Sequence, residues 1–326
     1  MEQEVFFSER THLGDLTKGV EEIRKEIGKI IVGQHEMIDL LIAAMLADGH
    51  VLIEGVPGVA KTLTAKLLAR TLDIPYSRIQ FTPDLMPSDI LGTSVFNIKT
   101  NDFEYHEGPI FANLVLIDEV NRAPAKTQSA LFEVMEERQI TTEGKTRQMS
   151  LPFLVVATQN PIEQEGTYRL PEAQLDRFLF KIDVGYPTLE EETRIIREYH
   201  ERGDVNDLSI VQPVIDASKI RALQETARRI RIDDNLVRYI AEIIARTRDN
   251  TALYLGASPR ASLAVMSGAK GIAAMRGRDF VTPEDIKFVL IPTLRHRILL
   301  TPEKEMEGSR AEDVINLIVE GVEVPR

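Results

Sequence analysis

The residues best placed to do chemistry lie in the run Gly55-Val56-Pro57-Gly58-Val59-Ala60-Lys61-Thr62. An apolar stretch, HVLIE, leads into it, and a helical pattern, LTAKLLARTL, leads out. A strand, a glycine-rich loop and a helix in that order are what a phosphate-binding loop requires. Glycines let backbone N–H groups turn inward on phosphate oxygens, and the helix N-terminus adds positive potential. Lys61 would reach the β- and γ-phosphates of ATP. The Thr62 hydroxyl suits Mg²⁺, a hard cation that prefers oxygen ligands. Gly55, Pro57, Gly58, Val59, Ala60 and Leu63 complete the expected contact set. Ala60 stands where the motif has its second glycine and is expected to tolerate the helix entry.

A second constellation ends the apolar run Leu114-Val115-Leu116-Ile117 with Asp118-Glu119. Acids at the carboxyl end of a parallel strand face the crevice where ligands bind. Asp118 is expected to hold Mg²⁺ through water, and Glu119 to polarise the attacking water. Asn160, in Ala157-Thr158-Gln159-Asn160-Pro161, ends a further apolar run, and its amide would orient water or touch the γ-phosphate. Phosphoryl transfer needs positive charge beyond Lys61. Arg177 in LDRF and Arg260 in GASPR are the candidates, because a rigid guanidinium fork matches phosphate geometry better than an ammonium does. Arg260 is expected to couple the second half of the chain to the γ-phosphate. Arg122 is a weaker candidate whose role stays open.

These residues must be positioned by an α/β framework. Strands are predicted at 50–54, 77–82, 114–118, 153–158 and 178–184, near-continuously apolar as parallel strands buried on both faces are. Helices are predicted at 61–72 and 124–137. Two inserts, 93–107 around Thr100-Asn101-Asp102 and 139–151 around Glu143-Gly144-Lys145, read as hairpins. After Pro187 the pattern turns helical, with helices predicted at 189–201, 216–230, 233–248, 258–276, 282–298 and 309–320. Thr188, Asp216, Asp233, Ser258 and Thr282 are expected to cap five of them. The expected domains are therefore 1–187, α/β, and 188–326, all-helical. Near the start, Phe7, Leu13 and Leu16 are expected to pack a first helix.

The 326 residues carry a net charge of −12 and no cysteine. Disulfides and thiolate chemistry are excluded, and a reducing, cytoplasmic setting is compatible. The acidic balance disfavours a protein that coats nucleic acid or anionic membrane. No apolar run is long enough to span a membrane, and no cationic-then-apolar leader is visible. The six histidines are scattered, which disfavours a catalytic zinc site. The arginines at 221, 228, 229 and 231 read as a solvated face, and Lys145 and Arg147 as an exposed polar turn or, alternatively, as contacts for a substrate in a ring pore.

Taken together, GVPGVAKT at 55–62, LIDEVNRAPAKTQSA at 116–130, ATQNP at 157–161, LPEAQLDRFLF at 170–180 and GASPR at 256–260 resemble the MoxR family of AAA+ ATPases. The resemblance implies an AAA+ P-loop NTPase core: a five-stranded parallel sheet in the order 5-1-4-3-2, inserted hairpins and a C-terminal all-α lid. It implies that Asn160 is the first sensor, Arg177 a finger offered to a neighbouring subunit and Arg260 the second sensor. Ile31, Val32 and Gly33 would line the adenine. It also implies a homo-oligomeric ring, a hexamer, with protein clients that include von Willebrand factor A-domain proteins. Three functions compete: an ATP-driven remodelling chaperone, a nucleic-acid motor, and a nucleotide-gated scaffold with little turnover. The acidic balance and the complete set of hydrolysis residues favour the first.

Overall fold

The computed structural model describes residues 2–142, 144–161, 167–203 and 207–325, with side chains described from residue 13 onward. Phe7 and the hairpin residue Glu143 therefore lie outside the described side chains. Five strands form the central sheet: β1 (His50–Gly55), β2 (Tyr76–Gln80), β3 (Leu114–Asp118), β4 (Leu154–Gln159) and β5 (Phe178–Val184). Their order is β5-β1-β4-β3-β2, and every pairing is parallel. The implied 5-1-4-3-2 order is thus present. Every residue of β3 is buried, in keeping with its unbroken apolar run, whereas in edge strand β2 Ile79 is buried, Ser77 half-buried and the other three exposed.

The long helix α1 (Glu2–Ile27) is followed by α2 (His35–Leu46), α3 (Lys61–Thr71) and α4 (Ala125–Glu137). Met37, Ile38 and all of residues 40–46 are buried, so α2 is apolar nearly all round. The first hairpin pairs Gly92–Asn97 with Asp102–Glu107. The second pairs Gln139–Thr142 with Lys145–Gln148, so Lys145 belongs to a strand and not to the tip.

The second half supplies α5 (Leu189–Glu201), α6 (Ala217–Arg228), α7 (Asp234–Arg248), α8 (Pro259–Met275), α9 (Pro283–Leu294) and α10 (Ala311–Glu320). Thr188, Asp216 and Asp233 accept backbone N–H bonds as caps. Ser258 does not cap α8; its hydroxyl turns instead to Asp176 at 3.3 Å. Helix α9 ends at Leu294, earlier than the predicted 298, because His296 and Arg297 are drawn to the carbonyls of β5. Between α8 and α9, the wholly buried carboxylate of Asp285 receives Arg276 and a two-pronged Arg278.

One apolar core runs from Leu13 and Leu16 of α1 through β1 to Ile240, Val265, Ile315 and Val322. A second core fills the other face of the sheet beneath α4. The first core passes across the expected 187/188 boundary, so we propose the division into 1–187 and 188–326 as one of architecture, not of separate cores. Helix α8 packs tightly across that boundary. A Cβ on Gly268 would lie 2.8 Å from the Phe180 ring, and one on Gly271 would lie 3.0 Å from the Ala43 carbonyl. Bare backbone is what lets the helix seat there.

Candidate nucleotide site

The loop between β1 and α3 wraps one wall of a cavity of about 500 Å³. Gly55 is required by close approach, since a Cβ would lie 2.5 Å from the Val184 carbonyl. Gly58 has φ 88°. Ala60 has φ 61° and ψ 20°, a left-handed conformation that costs a Cβ-bearing residue about 1–2 kcal/mol. The alanine is accommodated at the helix entry, under strain. Gln34 buttresses the loop by donating to the Val59 carbonyl at 2.6 Å.

Lys61 donates to the Gly55 carbonyl and, at 3.3 Å each, to those of Val56 and Gln159. The Thr62 hydroxyl donates to Asp118 Oδ1 at 2.8 Å. Thr158 donates to the same oxygen at 3.2 Å, and Arg78 Nε to Asp118 Oδ2 at 2.6 Å. Glu119 adopts a left-handed backbone (φ 57°, ψ 54°), and its N–H donates to the Thr158 hydroxyl. Its carboxylate receives Gln80 at 2.8 Å and Arg122 at 3.0 Å. Asn160, buried just past β4, lines the same cavity. Burial first, and the negative Asp118 second, push the Tyr76 hydroxyl up to about 12, so it stays protonated.

Thr62 and Asp118 present hard oxygen donors within hydrogen-bond distance of each other, beside an ammonium and a loop at a helix N-terminus. That donor set fits a divalent cation carried on a phosphate chain. Sequence reasoning missed Arg78 and Gln80. Their signal lies in strand register: both alternate on β2, and Gln80 pairs with Asp118 across the ladder.

Two predicted residues lie elsewhere. Neither Arg177 nor Arg260 lines the phosphate cavity. Arg177 donates to the Phe132 carbonyl and approaches Glu136 at 4.0 Å. Arg260 pairs with the same Glu136 at 2.6 Å. In this arrangement Arg260 faces Glu136 and not the cavity of its own chain. Ile31 and Val32 are buried, and Gly33 (φ 71°) faces the Glu191 carboxylate. The neighbouring cavity of about 200 Å³ is lined by Gln34, Met37, Ile182, Val184, Tyr186 and Glu191 among others, rather than by residues 31–33.

The family model for the ATPase family associated with various cellular activities matches residues 50–180, and the AAA lid domain model matches 245–318. Chaperone MoxR1 of Mycobacterium tuberculosis is 46% identical over 92% of this chain and 81% of its own length. This chain belongs to the MoxR family of AAA+ ATPases. The YeaC protein of Bacillus subtilis is likewise 46% identical, over 92% of this chain and 93% of that one. The crystal structure of a Cytophaga hutchinsonii protein described as a possible ATPase superimposes with TM-score 0.89 at 40% identity, covering 100% of both chains. Membership of this MoxR family makes the chain a nucleotide-binding protein, and the stretch from the end of α7 into α10 is its lid.

Proposed function

We propose that the chain binds ATP with Mg²⁺ and hydrolyses it within a ring of identical copies, hexameric by family resemblance, to remodel or assemble a protein client. The observation that carries this reading is the division of the chemistry. Lys61, Thr62, Asp118, Glu119 and Asn160 share one cavity, while Arg177 and Arg260 gather on Glu136 outside it. The placement of Arg177 and Arg260 together outside the cavity supports their donation to a neighbour.

Lys61 would leave its carbonyl partners for the β- and γ-phosphates, which compensate its charge better than neutral oxygens do. Thr62, directly, and Asp118, through water, would hold the Mg²⁺, which supplies charge neutralisation across the phosphates. For this, Arg78 must release Asp118. Glu119 would accept the proton of the attacking water, with Gln80 and Arg122 fixing its carboxylate until then. The Asn160 amide would orient that water. Arg177 and Arg260 would meet the charge developing on the γ-phosphoryl group of the adjacent copy.

The name of MoxR1 supports a chaperone role, and a von Willebrand factor A-domain protein is the first client class to test. Among the described residues no helix is long and apolar enough to cross a membrane. We take the cytoplasm as the site of action. The test is a mixing series of Arg177→Ala with Lys61→Ala at fixed total protein, with assembly followed by sedimentation. Each variant alone should be nearly inactive, and mixed assemblies should regain turnover. An arginine supplied in trans is worth about 10³–10⁵ in rate in other phosphoryl-transfer systems. Confirmed mixed assemblies that stay inactive at every ratio would refute the shared site. Strong stimulation by DNA or RNA that vanishes at high salt would instead favour the nucleic-acid motor.

A further inference from the structure

Arg297 lies in the turn after α9 and is 8% exposed. Its guanidinium is spent almost wholly on the segment that carries Arg177. Nε donates to Asp176 Oδ1 at 2.6 Å. Nη2 donates to the Asp176 carbonyl at 3.0 Å and the Phe178 carbonyl at 2.6 Å. Nη1 reaches the Leu179 carbonyl at 3.2 Å and the Thr293 carbonyl on its own helix. His296 adds a contact of 3.0 Å to the Phe178 carbonyl. The backbone is therefore gripped on both sides of Arg177. The second oxygen of Asp176 receives Ser258, two residues before Arg260.

The side chain of Arg177 is held far more lightly than its backbone. It has one carbonyl partner and a Glu136 contact at 4.0 Å, and its buried Nε has no hydrogen-bond partner. A fixed base with a lightly held tip is the arrangement an offered arginine needs, since misplacement by about 1 Å can cost 10²-fold in rate. A lysine could not replace Arg297, because one ammonium cannot span a carboxylate and several carbonyls at once.

We infer that Arg297 is a positioning residue for Arg177: with Asp176 it fixes the start of β5 against the lid so that Arg177 and Arg260 are presented together. This rests on the reading of Arg177 as a functional arginine, but not on whether it acts in cis or in trans. The test is a double-mutant cycle on steady-state ATP turnover by the 326-residue chain. Arg297→Lys should lower kcat by about 10- to 100-fold with KM for ATP unchanged. In the Arg177→Ala background the same substitution should lower kcat no further. Asp176→Asn, which keeps the side-chain shape, should give the same pattern and serves if Arg297→Lys does not fold.

An undiminished kcat in both variants, or an equal loss in the Arg177→Ala background, would overturn the inference. Failed rescue in the mixing series of Arg177→Ala with Lys61→Ala, alongside a non-additive cycle, would remove donation in trans and leave Arg297 as the positioning residue. Successful rescue with an additive cycle would do the reverse.

Discussion

Arg260 Nη2 and Glu136 Oε1 meet at 2.6 Å, joining the first turn of α8 to the last turn of α4. The arginine side chain is 55% exposed, so the pair contributes at most about 1 kcal/mol to stability. Arg260→Ala should therefore leave the thermal midpoint nearly unchanged while lowering ATP turnover in the assembled protein. Calorimetry and a steady-state phosphate-release assay on one preparation check both halves. A large drop in the midpoint would make Arg260 a structural residue.

Binding and turnover should separate cleanly between the two cavity motifs. Lys61→Ala should abolish ATP binding, because the loop keeps its N–H groups but loses its mobile charge. Glu119→Gln should bind ATP and hydrolyse it at least ~10²-fold more slowly, the low end for a general base. Fluorescent-nucleotide titration beside the phosphate-release assay distinguishes them, and equal loss of binding in both would contradict the assignment.

The strained Ala60 offers a stabilising substitution. Ala60→Gly relieves a left-handed Cβ but adds freedom to the unfolded chain, leaving a net gain of about 1 kcal/mol or less. Denaturant unfolding should show a higher midpoint at unchanged slope. A lower midpoint would mean that the alanine methyl packs better than its φ suggests.

Acid should destabilise the fold through His50. Its ring accepts the Val155 N–H at 3.0 Å and faces the Met135 carbonyl at 3.1 Å. Burial, followed by the nearby Arg138, lowers its pKa to about 4, against 6.5 when free. Above 6.5 neither state binds the proton. As pH falls from 6.5 to 4 only the unfolded state binds it, removing about 1.4 kcal/mol per pH unit, or roughly 3 kcal/mol in all. His296, also buried, shifts in the same direction. Unfolding midpoints measured between pH 8 and 4 should fall more steeply for the wild type than for His50→Gln. Parallel slopes would exclude His50 as the source.

Asp285 should be among the most sensitive positions in the lid. Its buried carboxylate is the shared partner of Arg276 and Arg278 and also accepts the Thr282 N–H. Asp285→Ala leaves two cations without their anion and should cost about 3–5 kcal/mol. Chemical unfolding measures it, and a loss below about 1 kcal/mol would show that water takes over the role.

The motifs were legible because each is contiguous: a loop with its strand and helix, or acids ending an apolar run, carries its context in neighbouring residues. Arg78 and Gln80 were not, because their role depends on the register of an edge strand against β3. Nothing in the local sequence sets Glu136 apart from other acids on a helix surface, yet two arginines from other elements meet on it. Arg297 was placed inside a continuing helix, since nothing local announces that β5 carbonyls will draw it into a turn. Helix α2 lacks an amphipathic stripe, being enclosed on nearly every side. Long-range pairing, not local preference, decides each of these.

The seating of α8, with Gly268 against Phe180 and Gly271 against Ala43, has a mechanical consequence. At these two points backbone lies directly against ring and carbonyl, with no room for an intervening side chain. The lid and the sheet of one copy would then move together as a stiff lever. In the proposed ring, hydrolysis would spend its stroke at the joints between copies, where Arg177 and Arg260 stand. Torque on a client would come from rotation of whole subunits, and a side chain introduced at Gly268 would loosen the lever before it touched the chemistry.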